Sequence, residues 1–115
     1  MPRAPDERLR DMRTAIDRIR RAVARLDQPS LDQADEEVLI PICWSFMVVG
    51  EAIKTLPEDL MGRHPGVDWK GFARFRDILA HQYFRIEPTF LWKAISVSLP
   101  PLEAALAAEL DGAEA

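Results

Sequence analysis

The residues of this 115-residue chain best equipped for chemistry crowd into one short stretch. Between Arg74 and Tyr83 stand two arginines, an aspartate, a histidine and a tyrosine: Arg74, Arg76, Asp77, His81 and Tyr83. Histidine is the one side chain whose ordinary pKa lets it take or give a proton near neutral pH. Arginine keeps its charge and offers parallel N–H donors that match the oxygens of a phosphate. A fixed cation beside a proton carrier suits a reaction at phosphorus, where charge develops on the phosphoryl oxygens. Asp77 can orient a neighbouring arginine or histidine. The Tyr83 hydroxyl can donate to a phosphate, and its ring can anchor packing. The plainer reading is a solvated histidine among surface charges, because charge clusters also arise on ordinary helix faces.

Spacing constrains how these side chains can cooperate. Phe72, Phe75, Ile78 and Leu79 recur at helical intervals and form one apolar stripe at about 100° per residue. A helix buried along that stripe leaves Asp77 and His81 outside the core and puts Arg76 and Tyr83 on one edge. Arg76 and His81 are five positions apart, so an ideal helix points them about 140° from each other. They converge on one phosphate if the helix loosens near His81, or if two copies of the helix meet across a symmetric dimer. The dimer, alone or together with loosening, is the expectation.

Arg76, His81 and Tyr83 together spell R-x4-H-x-Y. This pattern resembles the HepT-like toxins of the HEPN superfamily, small all-helical ribonucleases. The polar Asp77 directly after the arginine fits that superfamily. So do Gly50-Glu51-Ala52, Leu56-Pro57, Trp69, Trp92 and Leu99-Pro100, in that order around the motif. The resemblance covers roughly Leu39 to Leu102. The N-terminal stretch matches only as an amphipathic helix, and Pro41 departs from the pattern.

The resemblance implies an HEPN-like fold and a metal-independent endoribonuclease without cofactor. The 2′-hydroxyl of RNA would attack the neighbouring phosphate and leave a 2′,3′-cyclic phosphate. Arg76 and His81 would be catalytic, with Asp77 and Tyr83 supporting. It further implies a toxin–antitoxin pair whose toxin is a homodimer with two motifs in one cleft. The partner would be a minimal nucleotidyltransferase antitoxin that silences the toxin by transferring AMP to Tyr83, alone or in a larger hetero-oligomer. One alternative is a non-catalytic module that binds a nucleotide or docks the nucleotidyltransferase. A third reading is a helical dimerisation domain with no site.

Composition agrees with a folded helical domain. Hydrophobic residues make up 48% and charged residues 30%, which is globular rather than disordered, and the length suits one domain, residues 1–115. The net charge of −4 argues against an indiscriminate nucleic-acid binder. The charge is uneven, however. Residues 61–93 hold six basic residues against three acids and surround the motif, whereas residues 28–60 hold one lysine against seven acids. Cys43 is the only cysteine, and with two histidines no metal-ligand spacing is visible. The apolar run Val38 to Val49 is too short to span a membrane. The charged N-terminus lacks the apolar segment of a signal peptide, so a cytoplasmic protein is expected.

The elements that must position the motif read as an all-α, single-domain, up-and-down bundle of four to five helices. A first helix is expected over 6–26, N-capped by Asp6, with Leu9, Met12, Ile16, Ile19, Val23 and Leu26 as its buried seam. Ser30 and Gln33 look like a capping box for a second helix, which Pro41 should kink or divide into two abutting helices near 31–39 and 41–55. The latter piece is apolar nearly all round and should be central. Gly50 would allow a close helix approach, and Glu51 would bond to the motif helix. One short turn is expected at Pro57 to Met61, and His64 should be an exposed loop residue. Asp68 should cap the motif helix, 69–83. Pro88 opens the last helix, with Phe90, Leu91, Ile95 and Leu99 buried and a kink at Pro100-Pro101. The last few residues are expected to fray.

Overall fold

Apolar residues at intervals of three and four draw the chain into helices that each bury one face. The structure, a computed structural model, describes residues 4–82 and 85–112. Helix α1 spans Pro5–Ala24 and buries Leu9, Met12, Ile16 and Ile19 of the predicted seam, with Ala15 beside them; Val23 is only partly buried, as is Leu26, which lies beyond the end of the helix. It begins one residue earlier than expected, with Ala4 rather than Asp6 as N-cap. Pro5 takes the first helical position, where its missing N–H costs nothing. Asp6 and Glu7 stand in the first turn, where the helix dipole favours negative charge.

Helix α2 spans Glu36–Ile53. The expected capping box does not start it. The Ser30 hydroxyl oxygen instead accepts the Asp32 N–H at 3.1 Å, a local turn that competes with helix formation. Pro41 does not divide α2 into two helices either. Without its N–H, Pro41 deprives only the Glu37 carbonyl of a helical donor. Both residues are exposed, so water can satisfy that carbonyl. Helix α2 packs on α1 along one side and on α4 along another, the central place expected of an apolar helix. Burial in it pushes the Cys43 thiol up, which keeps it protonated and unreactive.

The short α3, Glu58–Gly62, leads into α4, Trp69–Gln82. Asp68 caps α4 as predicted, its Oδ1 accepting the Gly71 N–H at 3.0 Å. The Trp69 indole N–H donates to the carbonyls of Met61 and His64, at 3.0 and 3.1 Å, and ties the start of α4 to the preceding loop. Phe72, Phe75 and Leu79 are buried, and Phe75 meets Phe46 of α2 edge-on at 5.2 Å. Ile78, predicted in the stripe, sits at its margin with 38% of its surface exposed.

Helix α5, Pro88–Lys93, a π-helical turn at Ala94–Ser98 and α6, Leu99–Leu110, run on from one another without a break. In that π turn, just ahead of Pro100-Pro101, the Leu99 N–H reaches back to the Ala94 carbonyl. The two prolines then fall in the first turn of α6, where no N–H is required. Leu91, Ile95 and Leu99 are buried as predicted, but Phe90 is 53% exposed. Its ring rests edge-on against Phe75 at the surface of the core. Arg20 pairs with Glu103, and Arg13 with Asp111 at 3.1 Å, joining α1 to α6. The all-α bundle is as predicted: four rods and the short α3. Among the described residues there is no strand, no cluster of metal-binding side chains, and no helix long and apolar enough to cross a membrane. The expected fraying of the last residues falls on 113–115, outside the described residues.

Candidate active site

Arg76 is positioned by the contact between α2 and α4. Gly50 is buried where the two helices touch. A Cβ added there would lie 2.8 Å from the Phe72 carbonyl oxygen and 3.1 Å from Arg76 Cγ. Only glycine permits this approach, which is the role its place in the sequence suggested. The close approach delivers Glu51 to the motif helix: its Oε2 lies 3.1 Å from Arg76 Nε. On the other side of the guanidinium, Nη1 donates to Asp77 Oδ1 at 3.2 Å. The same Asp77 oxygen accepts from Lys54 Nζ at 2.5 Å. The Lys54 hydrogen bond first, and then that of Arg76, hold the Asp77 carboxyl below the usual carboxylate range.

The arrangement is a chain of alternating charge, Glu51, Arg76, Asp77, Lys54. Two carboxylates hold the guanidinium, Glu51 at Nε and Asp77 at Nη1. With 31% of its surface exposed, the Arg76 side chain can still meet an anion. An arginine held this way has already lost most of its rotamer freedom and can bind an anion at little further entropic cost. Lys54 was not anticipated as a member of the site. The signal was its place one helical turn after Gly50, on the face that Gly50 turns toward α4.

His81 lies in the last turn of α4, exposed, one turn beyond Asp77. The structure does not bring it to Arg76. Helix α4 stays regular through Gln82, so the loosening that would swing His81 round is absent up to that point. Tyr83 lies outside the described residues.

Beside Arg76 runs an open groove of about 310 Å³, lined by Arg8 and Asp11 of α1, by Trp44, Met47, Val48, Glu51 and Ala52 of α2, and by Arg76 itself. Trp44 is 59% exposed, and Ile40 one turn before it is half exposed. An apolar ridge on α2 therefore leads to the arginine.

The sequence matches the family described as Ribonuclease HepT-like over residues 12–109. The chain belongs to this family. The HepT-like match runs from within α1 to the last turn of α6 and takes in Gly50, Glu51, Lys54, Arg76, Asp77 and His81. Among similar proteins, "Putative RNase MJ0127" of Methanocaldococcus jannaschii is 41% identical over 66 residues, 57% of this chain and 54% of that protein. "Probable ribonuclease HepT" of Thermococcus cleftensis is 33% identical over 69 residues, 60% of this chain and 63% of that protein. The matches thus span little more than half the length of these relatives. No solved structure matches the chain.

A second polar cluster of this HepT-like chain corrects the reading of His64. It is not a free loop residue: its Nε2 lies 2.5 Å from Glu109 Oε2, and both side chains are largely covered. Arg63 Nη2 donates to Glu109 Oε1 at 2.7 Å. These two partners, Arg63 foremost, pull the Glu109 carboxyl down to about 2. The cluster fastens the loop after α3 to the end of α6, away from the Gly50 contact, and is structural.

Proposed function

We propose that this chain is a metal-independent endoribonuclease of the HEPN type that works as a homodimer, with Arg76 and His81 as its catalytic residues. The observation that carries the reading is the Arg76 guanidinium, held by Glu51 and Asp77 yet still partly exposed, inside a HepT-like sequence match. In the reaction, the 2′-hydroxyl oxygen attacks the adjoining phosphorus while His81 takes its proton. The bond from phosphorus to the 5′-oxygen breaks, and that oxygen leaves with a proton from water or from the histidine of a second copy. A 2′,3′-cyclic phosphate remains. Arg76 stabilises the charge on the phosphoryl oxygens, a contribution of about 3–4 kcal/mol by analogy with other oxyanion donors. His81 as acid–base adds roughly 10²–10⁴ in rate.

Two copies are required by the geometry of the reading. A regular α4 holds Arg76 and His81 of one chain apart, so each would serve with its counterpart across a two-fold axis. The exposed ridge of Ile40 and Trp44 beside Arg76 supports a second copy there. The finer reading is the toxin of a toxin–antitoxin pair, silenced when a minimal nucleotidyltransferase transfers AMP from ATP to the Tyr83 hydroxyl and releases pyrophosphate. An anionic group two residues from His81 would occupy the phosphate site and repel RNA.

The test is cleavage of RNA in excess chelator, with a 2′,3′-cyclic phosphate end and no cutting of the same sequence as DNA. Arg76→Ala and His81→Ala should each abolish cleavage and toxicity while keeping the helical circular dichroism. After incubation with nucleotidyltransferase, ATP and magnesium, intact mass should show AMP on the wild type and none on Tyr83→Phe. Activity lost in chelator and restored by magnesium would contradict the mechanism. Equal labelling of both proteins would move the modification elsewhere.

A further inference from the structure

The other edge of α4 carries a feature that the Arg76 site does not use. Arg74, Ile78 and His81 succeed one another at four and three residues and so share one edge of the helix. Beside that edge, between α4 and the rod formed by α5 and the π turn, lies an open groove of about 250 Å³. Its floor includes Phe72, Phe75 and Ile78, and its far wall carries Phe90. Its rim carries two cations, Arg74 from α4 and Lys93 from the end of α5. The one acid lining it, Asp68, already accepts the Gly71 N–H at 3.0 Å.

We propose that this groove is a substrate subsite that holds single-stranded RNA next to the bond presented to His81. Phe90 would stack on one base, and Arg74 and Lys93 would hold the flanking phosphates. Three observations favour RNA over a second protein copy. Phe90 stays 53% exposed in a groove with cations on its rim, the aromatic-and-basic pairing that binds single strands. The surrounding block, residues 61–93, is the basic part of an acidic chain. And the edge of Arg74 and Ile78 continues, one turn on, to His81, so a strand lying in the groove runs toward the proton carrier. The proposal rests on the ribonuclease reading and adds where the substrate lies.

The experiment uses the full chain and a fluorescein-labelled decamer of mixed sequence, as RNA for cleavage and fully 2′-O-methylated for binding. Phe90→Ala should weaken binding of the methylated strand roughly 5- to 150-fold, the range for one stacked base. Phe90→Leu, which keeps apolar contact with Phe75, should still lose most of that. Arg74→Gln with Lys93→Gln should flatten the dependence of log Kd on log salt by about 1.4, as for two lost phosphate contacts. His81→Ala should bind like the wild type and not cleave. Wild type that binds and cleaves, with these groove variants unaltered, would overturn the subsite and leave the ribonuclease reading intact. Groove variants that weaken binding only by dissociating the dimer in light scattering would also overturn it, making this face an interface between copies. Wild type that neither binds nor cleaves any RNA would overturn both.

Discussion

Replacing Gly50 by alanine should damage this protein out of proportion to the one methyl added. In an ordinary helix the change is favourable by about 1 kcal/mol, because alanine is the better helix former. At Gly50 the new Cβ would sit 2.8 Å from the Phe72 carbonyl oxygen, where ordinary contact begins at 3.4 Å, so that oxygen must retreat by about 0.6 Å. It would come closer still to Arg76 Cβ. Neither atom can rotate away, since one belongs to the α4 backbone and the other is bonded to it. Helix α4 itself must move, at an overpacking cost of about 1–3 kcal/mol. Gly62, at the end of α3, is the internal control, with nothing within 4 Å of an added Cβ. Urea melts should therefore place Gly50→Ala about 1–3 kcal/mol below Gly62→Ala. Function should suffer more than stability. The displacement falls on Arg76, and a misplacement approaching 1 Å at a reacting centre costs about 100-fold in rate. Single-turnover RNA cleavage, under conditions where both variants are folded, measures this. A Gly50→Ala protein as stable as Gly62→Ala and cutting at the wild-type rate would refute the view that the α2–α4 contact positions the arginine.

The same packing sets three further outcomes. Asp77→Asn removes the charge that holds both Arg76 and Lys54, so cleavage should fall about tenfold with an unchanged helical spectrum; an unaltered rate in single-turnover assays would remove Asp77 from the site. Glu109 has its pKa lowered from 4.5 to about 2 by Arg63 and His64, so its stabilising contribution is whole above about pH 4.5 and fades as pH falls through about 2; Glu109→Gln should melt below the wild type at pH 7, with the difference closing toward pH 2, and a gap constant with pH would contradict this. Phe46, fully buried between the rings of Phe72 and Phe75, should cost about 3–5 kcal/mol when cut to alanine, read from the urea midpoint.

Legible in the sequence was whatever depends on neighbours three or four residues apart. The seam of α1, the burial of Phe72, Phe75 and Leu79, the cap at Asp68 and the opening of α5 at Pro88 are all consequences of helical period and local hydrogen bonding. The R-x4-H-x-Y pattern likewise singled out Arg76, Asp77 and His81 as candidates, and Gly50-Glu51 was legible as a contact with the motif helix. Where local rules misled, a competing local bond or solvent exposure decided. Ser30 closes a turn instead of capping a helix, and Pro41 rides within α2 because the carbonyl it deprives faces water. The two prolines of α6 fall in its first turn because a π turn precedes them. Pairing across the chain lay beyond any local rule. Lys54 reaches Asp77 from 23 residues away, His64 meets Glu109 from 45 away, and Arg74 shares a groove with Lys93 and Phe90. Those contacts exist only after α2, α4 and the long C-terminal rod have settled at distances set by side-chain volume. Gly50 could be read as a place of close approach, but which residues of α4 meet it there, Phe72 and Arg76, only the packed helices decide.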